Sequence, residues 1–143
     1  MSNRGPSYGF SREVKMKLAA KYDQDLEKKQ RTWISQVTNI PIPDDMSFHD
    51  LLKDGIVLCS LMGSLQEGII KRPFPHLKLL NSFRCMENIQ AFLEACEELG
   101  VGKHSLFQTC DLYDGSNMTQ VQTTISQLAS VATSKGIDSL VKK

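Results

Sequence analysis

The sequence lacks an excess of charge of either sign. Its 143 residues include 17 Lys and Arg against 16 Asp and Glu, which gives a formal net charge of +1 at pH 7. Proteins that bind nucleic acids depend on contacts between basic side chains and phosphates, and a near-neutral domain supplies few of them. We therefore do not expect a nucleic acid as the partner.

Motifs of enzymatic and metal-binding sites are also missing. The four cysteines form no CxxC pair, and none of the three histidines pairs with a cysteine or another histidine at helical spacing. The HExxH, GxSxG and GxGxxG motifs and the Walker phosphate-binding loop do not occur either. Zinc sites, nucleophile elbows and nucleotide-binding loops need these spacings. The sequence thus predicts no metal, no cofactor and no catalytic activity.

The sequence also lacks long apolar runs. No run approaches the roughly 20 apolar residues that span a bilayer, and the N-terminus has no apolar signal-peptide segment. A chain of this size with 41% hydrophobic residues can build a core without a disulfide framework. We expect reduced thiols and a cytoplasmic protein without a transmembrane segment.

Helical periodicity runs through most of the chain. Apolar residues recur at three- and four-residue spacing, and no alternating strand pattern exceeds four residues. The pattern predicts an all-α domain at 11–136, an N-terminal arm at 1–10 and a short tail at 137–143. Helices are predicted to start near residues 11, 23, 47, 83 and 117, with irregular chain at 66–82 and a short helical turn at Ser105–Cys110.

The segment Asp50–Leu65 is the most informative of these helices. It is apolar, yet Gly55 stands within it, where glycine costs about 1 kcal/mol relative to alanine. Close approach of another helix to the backbone is one economical reason for a glycine there. We therefore predict one helix from the Ser47 cap to about Leu65, packed tightly at Gly55. The predicted core also includes residues from the apolar stripes of four helices, namely Trp33, Leu58, Ile89, Phe92 and Leu128.

The same segment resembles the central helix of calponin homology domains, in which Lys-Asp-Gly precedes an Ile/Val-Leu-Cys run. Trp33-Ile34 is similar to the tryptophan of the first core helix of that family. Met86–Val101 resembles its second long helix, and residues 107–121 resemble the entry into its last helix. The start of the chain, Asn3–Gly9 followed by Ser11–Val14 and Lys21–Asp23, is similar to calponins and transgelins.

The resemblance implies a solitary, calponin-type domain with four main helices plus shorter ones. It implies association with the actin cytoskeleton and regulation of filaments or contractility, with filamentous actin bound weakly or through sequence outside this chain. In calponins and transgelins, stronger contacts are associated with repeats resembling SLQMGTNKGASQ, which this chain does not contain. The alternative is a signalling adaptor that binds a kinase or another regulator without touching actin. We expect a monomer in either case.

Contact residues are implied by the same resemblance. The family pattern points to the second helix near Lys28, Lys29 and Arg31, and to the exposed face of the third helix near Lys53. Lys142 and Lys143 would begin a basic segment that follows the domain.

Overall fold

The computed structural model describes residues 22–70 and 80–137, and these residues contain helices and no strand. In chain order the helices are α1 (Gln24–Thr38), α2 (Phe48–Leu52), α3 (Ile56–Leu65), α4 (Ser82–Leu99), α5 (Thr109–Tyr113) and α6 (Met118–Ser134), with a 3₁₀ turn at Lys103–Ser105. Helices α1, α3, α4 and α6 have at least ten residues, whereas α2 and α5 have five each. The predicted all-α fold of four main helices plus shorter ones is confirmed.

The core lies where the four long helices meet. Helix α3 packs against α4 and α1, and α6 packs against α1 and α5. Leu58, Ile89, Phe92 and Leu128 are all fully buried there. Full burial of such a side chain stabilises the fold by about 1.5–3 kcal/mol. The Phe92 ring also stacks on Phe107, with the ring centroids 6.2 Å apart.

Polar side chains cap four of the helices. Asp23, Ser47, Asn81 and Asn117 each accept a hydrogen bond from a backbone N–H in the first turn of the helix that follows. Such a cap is worth about 1 kcal/mol because these N–H groups have no partner within the helix. The helix starts expected near residues 23, 47 and 117 agree with these positions.

The uninterrupted helix expected over residues 47–65 does not form. The chain leaves helix α2 at Lys53, and Gly55 takes a left-handed conformation with φ at +78° before α3 begins. The Asp54 carboxylate accepts a hydrogen bond from the Ile56 N–H at 2.9 Å, which gives the first N–H of α3 a partner on the other side of the glycine. The single-helix prediction was wrong because an apolar run with helical spacing does not reveal a left-handed residue within it.

The short helical turn predicted at Ser105–Cys110 is also misplaced. The 3₁₀ turn ends at Ser105, and α5 begins only at Thr109. Between them, the Thr124 hydroxyl donates to the Ser105 carbonyl at 2.7 Å and accepts from the Phe107 N–H at 2.9 Å. These backbone groups bond to α6, which holds residues 106–108 outside any helix.

Several predictions fall on parts of the chain outside the described residues. They are the N-terminal arm at 1–10, the first helix from Ser11, the segment 71–79 and most of the tail at 137–143. The domain limits of 11 and 136 therefore remain predictions.

Candidate interaction surface

Helix α1 presents two opposite faces. Its Gln30, Ile34 and Val37 side chains are buried, whereas Lys28 and Lys29 are exposed. The buried residues are spaced at three and four positions, which sets one stripe of the helix against the core. The two ammonium groups make no ion pair within the described part of the chain.

A pair of glutamines fixes α1 against α6. The Gln122 amide accepts from the Asp23 N–H at 3.2 Å and donates to the Asp23 carbonyl at 2.9 Å. The Gln30 amide donates to the Gln122 carbonyl at 2.9 Å and to the Ser126 hydroxyl at 3.1 Å. Both glutamines are buried, so these bonds determine the register between the two helices.

A shallow groove follows the exposed face of α1. Its volume is about 310 Å³, and it is lined by Lys28, Lys29, Thr32, Trp33 and Gln36. Trp33 was predicted in the core, but it is only partly buried and packs against the core from its edge. Because the groove combines an aromatic side chain with two lysines, it suits a partner that offers apolar and acidic groups together.

Arg31 does not share this exposed face. Its Nε donates to Glu27 at 2.7 Å, and its other guanidinium nitrogens donate to the carbonyls of Pro43 at 3.2 Å and Met46 at 2.6 Å. The guanidinium also lies over the Phe48 ring, with Cζ 5.5 Å from the ring centroid. Since all three nitrogens are engaged, the geometry gives Arg31 a role in holding the segment before α2.

Lys53 is separate from the groove. Lys53 is at the end of α2, and its Nζ lies 5.2 Å from the centroid of the Tyr113 ring. Such a cation–π contact is worth about 0.5–1 kcal/mol when exposed. Lys142 and Lys143 lie outside the described residues. Of the predicted contact residues, the structure therefore brings together Lys28 and Lys29.

A second, larger depression lies between the start of α1 and the chain before α2. Its volume is about 480 Å³, and its lining includes Tyr22, Glu27, Arg31, Asp44 and His49. The Tyr22 hydroxyl donates to Glu27 at 2.5 Å. Sequence reasoning missed this cluster, although the four-residue spacing of Glu27 and Arg31 is a recognisable ion-pair signal.

The thiols and histidines of the described residues show no sign of a reactive centre. No group of three or more His, Cys, Asp or Glu in residues 22–70 and 80–137 could hold a metal ion. Burial raises the pKa of Cys59 to about 12 and also raises the pKa of Cys96 and Cys85, so these thiols stay protonated. His49 Nε2 donates to the Tyr113 carbonyl at 3.0 Å, which gives this ring a structural contact.

Comparisons with known proteins show which family and which proteins this chain is similar to. A family model described as the calponin homology (CH) domain matches residues 24–134. Calponin-1 of the turkey Meleagris gallopavo is 43% identical over 134 residues, which cover 94% of this chain and 73% of that protein. Calponin-2 of the pig Sus scrofa is 40% identical over 137 residues, which cover 96% of this chain and 45% of that protein.

Among the helices that the structure describes, none is long and apolar enough to cross a membrane.

Proposed function

Because the chain belongs to the calponin family and contains its calponin homology domain, we propose that it is a non-catalytic, cytoplasmic interaction module of the actin cytoskeleton. In this proposal it regulates actin filaments or contractility through weak, direct contact with the filament. The observation that carries the proposal is the groove on α1, which Lys28 and Lys29 line together with the partly buried Trp33. An acidic surface with an apolar side chain at its centre would match this groove.

The proposed contact is limited in strength by its small number of charges. Arg31 is held by Glu27 and two carbonyls, so two lysines remain on this part of α1. Attraction between exposed charges is screened over about 8 Å at physiological ionic strength. We therefore expect binding that weakens as salt is raised and that is strengthened by further basic sequence, with Lys142 and Lys143 as its proposed beginning.

Co-sedimentation with filamentous actin tests the proposal directly. The chain is compared with the Lys28→Ala/Lys29→Ala variant, which we expect to bind at least about threefold more weakly at low salt. The matched control is Lys103→Ala/Lys135→Ala, which removes two exposed lysines from other elements. A pelleted fraction of the wild-type chain no greater than that without actin would rule out direct filament binding. Equal losses in the two double variants would rule out the groove.

Fluorine NMR provides a second measurement at the groove. Trp33 is the only tryptophan of the chain, so a fluorinated tryptophan gives a single resonance from this position. Slow tumbling of the complex broadens that resonance wherever the contact lies, whereas contact at the groove should also shift it, in the wild type and in the Lys103→Ala/Lys135→Ala control. Broadening without a shift would place the contact elsewhere.

A signalling adaptor that binds a kinase or another regulator is the second candidate function. The observation that favours it is the small size of the basic surface. Two lysines on a chain of net charge +1 offer an acidic filament few favourable charge contacts. In that case the wild-type chain would not pellet with actin, and affinity capture with the two double variants would identify a partner that depends on Lys28 and Lys29.

A further inference from the structure

One carboxylate joins a tyrosine to an arginine at the start of α1. Tyr22 directly precedes the Asp23 cap, and its hydroxyl donates to Glu27 Oε1 at 2.5 Å. The other oxygen of the same carboxylate accepts from Arg31 Nε at 2.7 Å. An anion thus already occupies the position between the phenol and the guanidinium.

The three side chains lie on the wall of an open depression. Tyr22, Glu27 and Arg31 all line the cleft of about 480 Å³, and Tyr22 is partly buried in it. Burial and the bond to Glu27 raise the pKa of the Tyr22 phenol, so the hydroxyl keeps its proton as a donor. The cleft that these three side chains line is open to solvent.

We propose that Tyr22 is a phosphorylation site for a protein tyrosine kinase, and that Arg31 receives the phosphoryl group in place of Glu27. In the kinase, the Tyr22 oxygen attacks the γ-phosphorus of ATP and forms a new O–P bond. The bond from that phosphorus to the β,γ-bridging oxygen breaks, ADP leaves, and the phenolic proton passes to the general base of the kinase. No oxidant or metal of this chain takes part.

Charge explains why the phosphoryl group would displace Glu27. A phosphotyrosine carries about −1.5 to −2 charges at neutral pH and cannot share the position of a carboxylate. When Glu27 leaves, Arg31 Nε can donate to a phosphate oxygen in a charge-assisted hydrogen bond, while the other two guanidinium nitrogens keep the Pro43 and Met46 carbonyls. The N-terminus of α1 also favours an anion, because the helix dipole is positive there. Asp44 and Asp45 line the same cleft and repel the added charge, so the modified domain stays folded only where the Arg31 contact outweighs that repulsion.

The modification would change the charge of the helix that bears the α1 groove. Adding a dianion beside the first turn of α1 lowers the positive potential around Lys28 and Lys29. An acidic partner would then bind more weakly. The proposal for Tyr22 does not rest on actin as that partner, since its own tests use the isolated chain.

The first test measures modification at Tyr22 alone. The chain contains three tyrosines, so the Tyr8→Phe/Tyr113→Phe variant leaves Tyr22 as the only acceptor. We expect a panel of recombinant tyrosine kinases with ATP to add one phosphoryl group, measured by intact mass. The Glu27→Gln change in the same background should speed the reaction several-fold, because the carboxylate holds the phenol in the folded state. The variant with Tyr22→Phe added is the control, and a rate no greater than this control with every kinase would overturn the proposal.

The second test measures the contact with Arg31. Phosphotyrosine is inserted at position 22 during translation, and phosphorus NMR follows its second pKa, which is about 6 in an ordinary phosphotyrosine. A guanidinium contact favours the dianion, so we expect a pKa about one unit lower in the wild-type background than with Arg31→Gln. Arg31→Lys should give an intermediate value, and circular dichroism checks that each variant is folded. Equal values in all three proteins would overturn the assigned contact.

Discussion

Gly55 and Asn88 are in contact where the turn between α2 and α3 meets α4. A Cβ atom at position 55 would lie 2.6 Å from the Asn88 Cβ and 2.9 Å from the backbone nitrogen of Ile89. The Asn88 amide donates to the Asp54 carbonyl at 2.9 Å, and the Cys59 thiol donates to the Asn88 carbonyl at 3.2 Å. Helix α4 is thereby attached to both sides of the Gly55 turn.

Replacing Gly55 by alanine should destabilise the fold by about 2–4 kcal/mol. The left-handed φ of +78° costs a residue with a Cβ about 1–2 kcal/mol, and overpacking against Asn88 adds a comparable amount. Urea unfolding followed by circular dichroism measures the change, and Gly55→Leu should be worse. Wild-type stability in either variant would contradict the close contact.

Gly63 provides the matched control for that substitution. It lies within α3, is exposed, and a Cβ there would meet no atom within 4 Å. Gly63→Ala should therefore stabilise the domain by about 0.5–1 kcal/mol through helix propensity alone. A loss of stability at this position would show that α3 is sensitive to any added side chain.

Replacing Arg31 by lysine should lower stability while leaving partner binding intact. Lysine keeps the charge but cannot reach Glu27 and the carbonyls of Pro43 and Met46 together, so we expect a loss of about 1–2 kcal/mol. Lys29→Ala should change stability by less than about 0.5 kcal/mol. Thermal unfolding of both variants measures their stability, and actin co-sedimentation measures their binding. Actin binding that falls with Arg31→Lys in fully folded protein would assign Arg31 to the interface after all.

Replacing Gln122 by alanine should loosen the start of α1. Both hydrogen bonds to the Asp23 backbone are lost, which we expect to cost about 1–2 kcal/mol. Hydrogen exchange should accelerate in the first turn of α1 more than in α3 or α4. Gln127→Ala, an exposed change on the same helix, is the control and should leave that exchange unchanged. Uniform acceleration across all helices would indicate global rather than local loosening.

Stability should fall in alkaline solution. The pKa of Cys59 is raised from 9.0 to about 12 in the folded protein, so between these values the unfolded chain has lost a proton that the folded chain retains. The contribution of the protonated Cys59 thiol to the free energy of unfolding is thus fully present below pH 9. It is lost as pH rises, by about 1.4 kcal/mol at pH 10 relative to pH 7. Cys96 and Tyr22, whose pKa values are also raised, act in the same direction.

Urea unfolding under reducing conditions from pH 7 to 10.5 measures this loss. Cys59→Ala should show a shallower decline with pH than the wild type, and Cys110→Ser, which removes an exposed thiol, is the control substitution. An identical pH dependence in the Cys59→Ala variant would contradict the effect of burial on this thiol.

Helical spacing and end signals in the sequence predict much of the fold. The stripe through Ile89, Phe92 and Cys96 marks a helix, and Asn117 and Gly100 mark helix ends, because these signals depend on residues within one or two turns. The short connections were harder to predict. The 3₁₀ turn at Lys103–Ser105 and the extended residues after it depend on Thr124, which lies on α6.

The candidate site was predictable only in part. Lys28 and Lys29 are exposed as expected for charged residues opposite an apolar stripe. The different role of Arg31 depends on the carbonyls of Pro43 and Met46, which the sequence places 12 and 15 residues away. The spacing of the lysines likewise does not predict which of them share a groove with Trp33.

The sequence by itself determined the helical class, most helix limits and the family, since local periodicity and the order of short motifs suffice for these. The tertiary structure alone decided that Gly55 breaks a helix rather than lies within one, and that Arg31 is bound internally while Lys28 and Lys29 are exposed. The physical reason is that φ at Gly55 and the partners of Arg31 are determined by contacts between segments distant in the chain. Such contacts leave no periodic pattern in the sequence.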